Sequence, residues 1–309
     1  KDILKKKFIK FYILNISTKF KNIFSNILSF FKIFFVLIRE RPNVIVGFGG
    51  YTSFTTLLSA KILLKPIVLH EQNIQIGFVN KLFLPMAKKI ILGWGDEKNF
   101  NFSNNKKYFF IRNPVRRKII LLRRKLRFKF KQDKIILLVI GGSQGSIVLG
   151  KVIPDALKLI PRNLRKKIYV YHQCAKQNIM EIKKKYISIN LKATCKVFFN
   201  DLPDIMFKSD LVISRAGASS LSEVTALGKT AILIPYKFAK NDHQIKNAKW
   251  FVEKGAGTLL REEELNSLSL KKKILEFLTN ISKLKKAAKK SYHLGDPESV
   301  KKILKLIND

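Results

Sequence analysis

The sequence predicts an α/β protein with two doubly wound domains, each built on a parallel sheet. Short apolar runs alternate with segments of helical periodicity along most of the chain, a pattern typical of βαβ units. Glycine-rich turns follow several of these runs, and a very basic stretch at 116–131 divides the alternation into two series. With 309 residues, the chain is long enough for two domains with cores of their own.

The first series begins with a short strand at 44–46, which leads through the glycine turn at 47–50 into a helix that ends near Leu64. A second strand at 66–69 ends at the polar sequence His-Glu-Gln-Asn, which is followed by a helix at 77–86 and a strand at 89–92. In parallel sheets of this kind ligands bind outside the carboxyl ends of the strands. The glycine turn and the polar sequence both lie there.

The second series repeats this organisation. Its strands are predicted at 135–140, 168–171, 196–199, 211–213 and 231–234, with helices between them. We therefore expect an N-terminal domain at 1–117, a connector at 118–133 and a C-terminal domain at 134–309 whose last helix packs back on the first domain.

The net charge of +40 indicates an anionic partner such as nucleic acid, membrane lipid or a phosphorylated substrate. The excess is mostly Lys and accompanies many Ile, Phe and Asn residues, which AT-rich coding sequence would also give, so the location of the charge matters more than its total. No nucleic-acid reading motif is recognisable, and no nucleic acid is expected. Two distant cysteines and four scattered histidines predict neither a metal site nor a disulfide framework.

The segment 21–40 is amphipathic. Phe31, Phe34 and Phe35 belong to an apolar set at helical spacing, with Lys21, Lys32 and Arg41 among or beside it. The apolar stretches are too short to span a bilayer. The segment is either an ordinary core helix or an interfacial helix that places aromatic rings in lipid and basic groups on anionic headgroups.

Two turns in the second series could hold a phosphate. The turn at 141–146 follows a strong strand and opens a helix, but it has neither the G-x-G-x-x-G spacing nor a Walker A lysine, and a purely structural turn is the alternative. The second turn precedes a helix near 218–227. There Ser220 and Glu223 fit a capping box, so Glu223 could cap the helix or hold a ligand.

Seven ordered motifs show a family resemblance: GFGGYTS, HEQN, GFVNKL, RNPVRR, GGSQGS, SRAGASSLSE and NDHQIKNA. Together they resemble the MurG family of N-acetylglucosaminyltransferases, from about residue 21 to the end of the chain. The resemblance implies the GT-B architecture, two Rossmann-like domains across a cleft. It also implies an inverting, metal-independent transfer of N-acetylglucosamine (GlcNAc) from UDP-GlcNAc to lipid I, which forms lipid II without a cofactor.

The resemblance also implies site residues, position by position. Glu223 would accept hydrogen bonds from the ribose hydroxyls, Gln244 would hold the GlcNAc hydroxyls, and Glu71 would support the cleft. The ring of Phe199 would lie against the uracil while its backbone reads the base edge. Tyr51 and Asn80 would lie on the acceptor side. The full set for UDP-GlcNAc is Asn73, Arg116, Ser143, Phe199, Arg215, Ala218, Ser219, Ser220, Leu221, Ser222, Glu223 and Gln244.

The implied partners are UDP-GlcNAc, lipid I, the anionic cytoplasmic surface of the inner membrane, and other cell-wall and division proteins. The family opens with a strand and a Gly-Gly-Thr-Gly-Gly-His loop that supplies a candidate base. That loop is not found here, so we expect the sequence to be part of a longer chain and leave the base unassigned. The rival hypotheses are another GT-B glycolipid transferase, a UDP-GlcNAc epimerase and an inactive membrane-binding remnant.

Overall fold

The computed structural model describes residues 10–13, 23–100, 106–128, 130, 133–142 and 145–309. Within these residues it contains two parallel sheets, which confirms the predicted fold class. The first sheet has the strand order β1-β2-β3-β4. Its strands are β1 (Ile45–Gly47), β2 (Ile67–Glu71), β3 (Lys89–Leu92) and β4 (Tyr108–Phe110).

The helices of the first domain are α1 (Ile23–Glu40), α2 (Phe54–Ile62) and α3 (Phe78–Phe83), with 3-10 turns at Tyr51–Ser53, Leu84–Met86 and Glu97–Asn99. In α1, Ser29, Ile33 and Leu37 are buried at intervals of four residues, so one face of the helix packs on the domain. Phe31 and Phe35, on another face, are 51% and 64% exposed. None of the helices in the described residues has the length and apolarity that a bilayer crossing requires.

The second sheet has six parallel strands in the order β10-β9-β8-β5-β6-β7. The chain winds in one direction from β5 to β7 and in the other from β8 to β10, so the order reverses between β5 and β8. This reversal is the topological switch point at which doubly wound sheets bind ligands. The strands are β5 (Ile135–Ile140), β6 (Ile168–Gln173), β7 (Lys192–Lys196), β8 (Leu211–Ser214), β9 (Thr230–Leu233) and β10 (Gly257–Leu259).

Helices cover this sheet, and its central strands are almost completely buried. The helices that follow the first sheet in the chain are α4 (Arg117–Arg123), α5 (Ile147–Lys158), α6 (Arg162–Arg165), α7 (Ile179–Ser188), α8 (Leu202–Lys208), α9 (Ala218–Ala226), α10 (His243–Glu253), α11 (Ser267–Leu278), α12 (Ile281–Leu294) and α13 (Ser299–Asn308).

Two segments join the domains. In α4, Ile119 lies in the core of the second domain, and Arg123 donates to the carbonyl of Ala226 at 2.7 Å. Near the end of the chain, Ile303 of α13 packs against Val68 and Ile91 of the first sheet. Helices α4 and α13, which precede and follow the second sheet in the chain, therefore connect the two domains.

The predicted strand at 196–199 is wrong. The strand is β7 at Lys192–Lys196, and residues 197–199 follow it. β7 is the edge strand of its sheet, so polar side chains are tolerated on it, whereas the apolar run 197–199 belongs to the turn beyond. A continuous apolar run is a good indicator of a buried central strand. The same rule places an edge strand wrongly, because an edge strand can be polar.

Candidate active site

The site lies at the carboxyl ends of β5 and β8, where the order of the second sheet reverses. The turn after β5 passes Gly145, whose φ is +72° and where any Cβ would overlap the backbone of Ala175. Glycine is therefore required at this position. Ser143, predicted to bind the nucleotide, lies outside the described residues.

Helix α9 begins directly after this edge. Its N-cap is Gly217, and no side chain of the described residues caps it. The predicted capping box is wrong, because Ser220 and Glu223 both lie inside the helix. The first N–H groups of α9 are therefore available to a ligand at the positive end of the helix dipole, an arrangement that suits a phosphate. In this first turn Ser219 is exposed and Ala218 is buried.

Glu223 forms a bidentate ion pair with Arg116 from the segment that links the two domains. The Arg116 Nε and Nη2 atoms each lie 2.5 Å from one carboxylate oxygen. The Arg116 side chain is 45% exposed and that of Glu223 is 15% exposed. Two of the predicted donor-binding residues are thus brought together by the fold, and each is the other's hydrogen-bond partner.

Arg215 ties the loops of the second domain together. Its guanidinium donates to the carbonyls of Ile234 and Pro235 at 3.2 Å, to Ser146 Oγ at 3.0 Å and to Glu262 Oε1 at 2.8 Å. Burial raises the pKa of Glu262, but hydrogen bonds from Arg215 and the Lys237 N–H outweigh it and leave that pKa below its usual value. Arg215 therefore holds the edge of the site in shape.

Gln244 and Asn247 of α10 connect further segments. The Gln244 Oε1 atom accepts from the N–H groups of Ala216 and Tyr236. Asn247 is completely buried; it donates to Asn73 Oδ1 at 3.0 Å and to the Ala216 carbonyl at 3.2 Å, and it accepts from the Ile74 N–H at 3.1 Å. This one amide fixes the first domain to the loop after β8.

The first domain contributes the turn after β2. The buried carboxylate of Glu71 accepts hydrogen bonds from the N–H groups of Asn73 and Gly77 and from the Asn80 amide at 2.9 Å. Asn80 is itself 1% exposed, so its side chain supports this turn from within the domain. Tyr51 is 52% exposed beside the glycine turn.

Phe199 is 2% exposed, with its ring edge-on to Tyr171. A contact between this ring and a base would require the ring to leave the core, so its backbone is the better candidate for base reading. Leu221 and Ser222 are also buried. Their side chains are therefore not available for direct contact with a ligand at the surface.

The sequence-based set lacks Asn247 and Glu262 of this network, and it lacks the buried Asn113, which donates to Ser222 Oγ. Asn247 belongs to the quoted motif NDHQIKNA and lies three residues after Gln244, on the same face of α10. Asn113 precedes the proline of the RNPVRR motif. Glu262 lies in an acidic run with no motif, and nothing in the sequence marks it as the partner of Arg215.

Two parallel-sheet domains, with an uncapped helix N-terminus at the switch point of the second, form the GT-B architecture. The chain belongs to glycosyltransferase family 28, because the C-terminal domain of that family matches residues 136–307 and its N-terminal domain matches residues 2–92. This confirms the resemblance read from the motifs.

Individual relatives support the same family assignment. The chain is 34% identical over 268 residues to the UDP-N-acetylglucosamine--N-acetylmuramyl-(pentapeptide) pyrophosphoryl-undecaprenol N-acetylglucosamine transferase of Zymomonas mobilis, covering 86% of this chain and 69% of the relative. The crystal structure of Acinetobacter baumannii MurG superposes with a TM-score of 0.81 at 25% identity and covers 99% of this chain and 86% of the other. A putative UDP-N-acetylglucosamine 2-epimerase from Listeria monocytogenes superposes with a TM-score of 0.69 at 16% identity, over 98% of this chain and 84% of that one, and so shares the fold alone.

Proposed function

We propose that the protein transfers GlcNAc from UDP-GlcNAc to the 4-hydroxyl of undecaprenyl-diphospho-N-acetylmuramoyl-pentapeptide, with inversion at the sugar C1. The observation that carries this proposal is the convergence of Arg116, Glu223 and the uncapped start of α9 at the switch point. It occurs in a chain 34% identical to an enzyme named for this transfer. The hydroxyl oxygen of the acceptor attacks C1 and releases its proton, the bond from C1 to the diphosphate breaks, and UDP leaves with the bonding electron pair.

The leaving diphosphate binds at the N-terminus of α9. The N–H groups of residues 218–220 point out of the first turn, because the first four N–H groups of a helix have no partner within it. Fixed N–H dipoles stabilise negative charge that develops as the bond breaks, without reorganisation at the moment of reaction. This end of the helix is held in place through Arg215 and Gln244, which brace the adjoining loops.

Donor binding exchanges the partners of the Arg116–Glu223 pair. The carboxylate of Glu223 accepts hydrogen bonds from the two ribose hydroxyls, and the guanidinium of Arg116 turns to the diphosphate. Arg116 would exchange one anionic partner for another, whereas Glu223 would exchange its cationic partner for two neutral hydroxyl donors and keep two hydrogen bonds. Before the donor arrives, the ion pair keeps both side chains near their working positions.

On the acceptor side, Asn73 contacts the donor sugar from the first domain, and Glu71 holds the turn that carries it. Tyr51 and Asn80 border the space for the muramyl sugar. The described residues include no side chain to which we assign the role of general base.

We place the protein on the cytoplasmic face of the inner membrane, as a peripheral protein that meets its lipid-linked acceptor there. Phe31 and Phe35 are more than half exposed on α1, and Lys32 lies between them in sequence. Aromatic rings beside a basic group suit an anionic lipid surface. Side chains of an ordinary core helix would be buried, and these two rings are not. Phe34 is closer to a core side chain, because it is half-buried and stacked on Phe30 with ring centroids 5.9 Å apart.

The test is Glu223→Gln, measured by calorimetry with UDP and with 2′-deoxy-UDP. The parent should prefer UDP because Glu223 binds the vicinal diol. A lost hydrogen bond to a charged group costs about 1.5–3 kcal/mol, so the variant should bind UDP roughly 10- to 100-fold more weakly and lose the preference.

Glu181→Gln is the matched control, because Glu181 is a half-exposed carboxylate near Lys185 on α7, away from the cleft. It should change neither affinity. Unchanged UDP binding in Glu223→Gln would assign Glu223 to its ion pair alone and remove it from the donor site. Transfer itself is followed with radiolabelled UDP-GlcNAc and a lipid I analogue.

A further inference from the structure

Asn113 is buried at the boundary between the two domains, 3% exposed. It follows β4 by three residues and precedes the segment that carries Arg116. Its amide nitrogen donates two hydrogen bonds, one to the carbonyl of Gln72 at 3.0 Å and one to Ser222 Oγ at 3.1 Å. One amide thus connects the turn after β2 in the first domain with helix α9 in the second.

Both ends of this bridge lead into the proposed site. Gln72 immediately precedes Asn73, which faces the donor sugar. The Ser222 hydroxyl donates in turn to the carbonyl of Ala218 at 2.8 Å, in the first turn of α9. A continuous chain of hydrogen bonds therefore runs from the Gln72–Asn73 turn through Asn113 and Ser222 to the N-terminus of α9.

The Asn113 side chain is closely packed against Gly93. A Cβ on Gly93 would overlap the Asn113 carboxamide oxygen and lie 2.5 Å from its Cγ, so only glycine at 93 leaves room for the side chain. The Asn113 carboxamide oxygen is buried without a hydrogen-bond partner among the described residues. Leaving such a group unpaired has a cost, so the stabilising hydrogen bonds of this side chain are the two that its amide nitrogen donates.

We infer that Asn113 is a positioning residue that sets the distance between Asn73 and the N-terminus of α9, and hence between the donor sugar and the diphosphate site. The inference rests on the proposed function. It assigns Asn113 no contact with substrate. A displacement of about 1 Å between reacting groups can cost on the order of 100-fold in rate, so a rigid bridge between the two domains has a direct effect on turnover.

The first experiment is Asn113→Ala in the full chain, with kcat and KM measured for UDP-GlcNAc and UDP affinity measured by calorimetry. We expect kcat to fall about 10- to 100-fold while UDP affinity changes less than about threefold, because all the proposed nucleotide contacts except Arg116 lie within the second domain. A fall in melting temperature and in active fraction with unchanged kcat per active molecule would reduce Asn113 to a structural role and overturn the inference.

Gly93→Ala gives a second, independent displacement of the same amide. Alone it should lower kcat as Asn113→Ala does, because the new methyl group pushes the carboxamide away. In the Asn113→Ala background it should have almost no further effect, because the atoms that it would overlap are gone. Additive losses in this double-mutant cycle would contradict the inference.

Domain geometry provides a readout that does not depend on activity. Spin labels at Leu64→Cys and Ile187→Cys, which replace side chains 91% and 76% exposed, report the distance between the two domains, since the native Cys174 and Cys195 are buried. Asn113→Ala should broaden or shift the distance distribution. If the parent transfers no sugar, the proposed function fails, and this measurement still decides the inference: an unchanged distribution overturns it.

Discussion

Each domain places one buried carboxylate near the cleft, and the two are satisfied in different ways. Glu71 of the first domain receives only neutral donors, all from residues 73–80. Glu262 of the second domain is paired with the buried guanidinium of Arg215, 47 residues away in sequence. The first half of the site is therefore locally built, whereas the second is assembled from distant segments.

This difference predicts how each half responds to damage. A local turn held by several neutral hydrogen bonds loses them one at a time. A buried ion pair that ties several loops fails as a unit, because removal of one partner leaves the other charge buried and unpaired. The second domain should therefore be the more sensitive to a single substitution near the cleft.

The largest effect is expected for Arg215→Ala. It removes the donors to Ile234, Pro235 and Ser146 and leaves the Glu262 carboxylate unpaired, at a cost of about 3–5 kcal/mol in the free energy of unfolding. Denaturant unfolding followed by tryptophan fluorescence measures the loss, and UDP binding should fall with it.

Two further variants sharpen this comparison. Glu71→Gln keeps an acceptor oxygen for its amide donors, so it should cost less, about 1–2 kcal/mol. Glu262→Gln in the Arg215→Ala background removes the stranded charge and should recover part of the loss. Equal costs for Arg215→Ala and Glu71→Gln would mean that the two halves are not built differently.

Both domains expose large apolar side chains. Phe31 and Phe35 stand out from α1, and Phe78 from α3 is 70% exposed, in the domain that we assign to the acceptor. The second domain also has exposed apolar residues, such as Met180 and Ile187 on α7 at 63% and 76%. Exposure alone therefore does not identify a membrane surface, and the two sets offer a matched test.

The intermediate effect is expected for Phe31→Ser with Phe35→Ser, with Phe34 left in place because it is partly buried. If both rings enter the acyl boundary, their loss should weaken binding to cardiolipin-rich vesicles by about 2–3 kcal/mol, on the order of 100-fold, with the fold intact. Met180→Ser with Ile187→Ser is the control and should float as the parent does. Equal flotation of all three proteins would remove α1 from the membrane surface.

The sequence predicted the central strands well and the sheet edges poorly. The strand at 135–140 was placed at its true ends because β5 lies between two neighbours and is apolar throughout. The edge strand β7 alternates polar residues and was displaced to the apolar run that follows it. The short strands β4 and β10 were not predicted, since three residues give little periodicity to read.

The same distinction holds for the site. Motifs mark Asn73, Arg116 and Glu223 as candidates, because these lie within short recognisable stretches. No sequence pattern could show that Arg116 pairs with Glu223, 107 residues later, or that Arg215 needs Glu262. Such pairings depend on the relative placement of loops, which is fixed by the packing of two domains and not by local propensity.

The smallest effect concerns pH and one buried histidine in each domain. Burial lowers the pKa of His70 in β2 to about 4 and that of His172 in β6 to about 3, below about 6.5 for an unfolded histidine. Above pH 6.5 both states are neutral and the folded state keeps its full stability. As the pH falls from 6.5 toward 4, the unfolded chain takes up protons that the folded chain excludes, so stability declines. Each histidine should account for about 1 kcal/mol of this loss at pH 6.

The measurement is the slope of the unfolding free energy against pH. His70→Gln and His172→Gln should each flatten this slope, whatever they do to absolute stability. A slope that neither variant changes would mean that other groups govern acid sensitivity, and a change in only one would locate it in that domain.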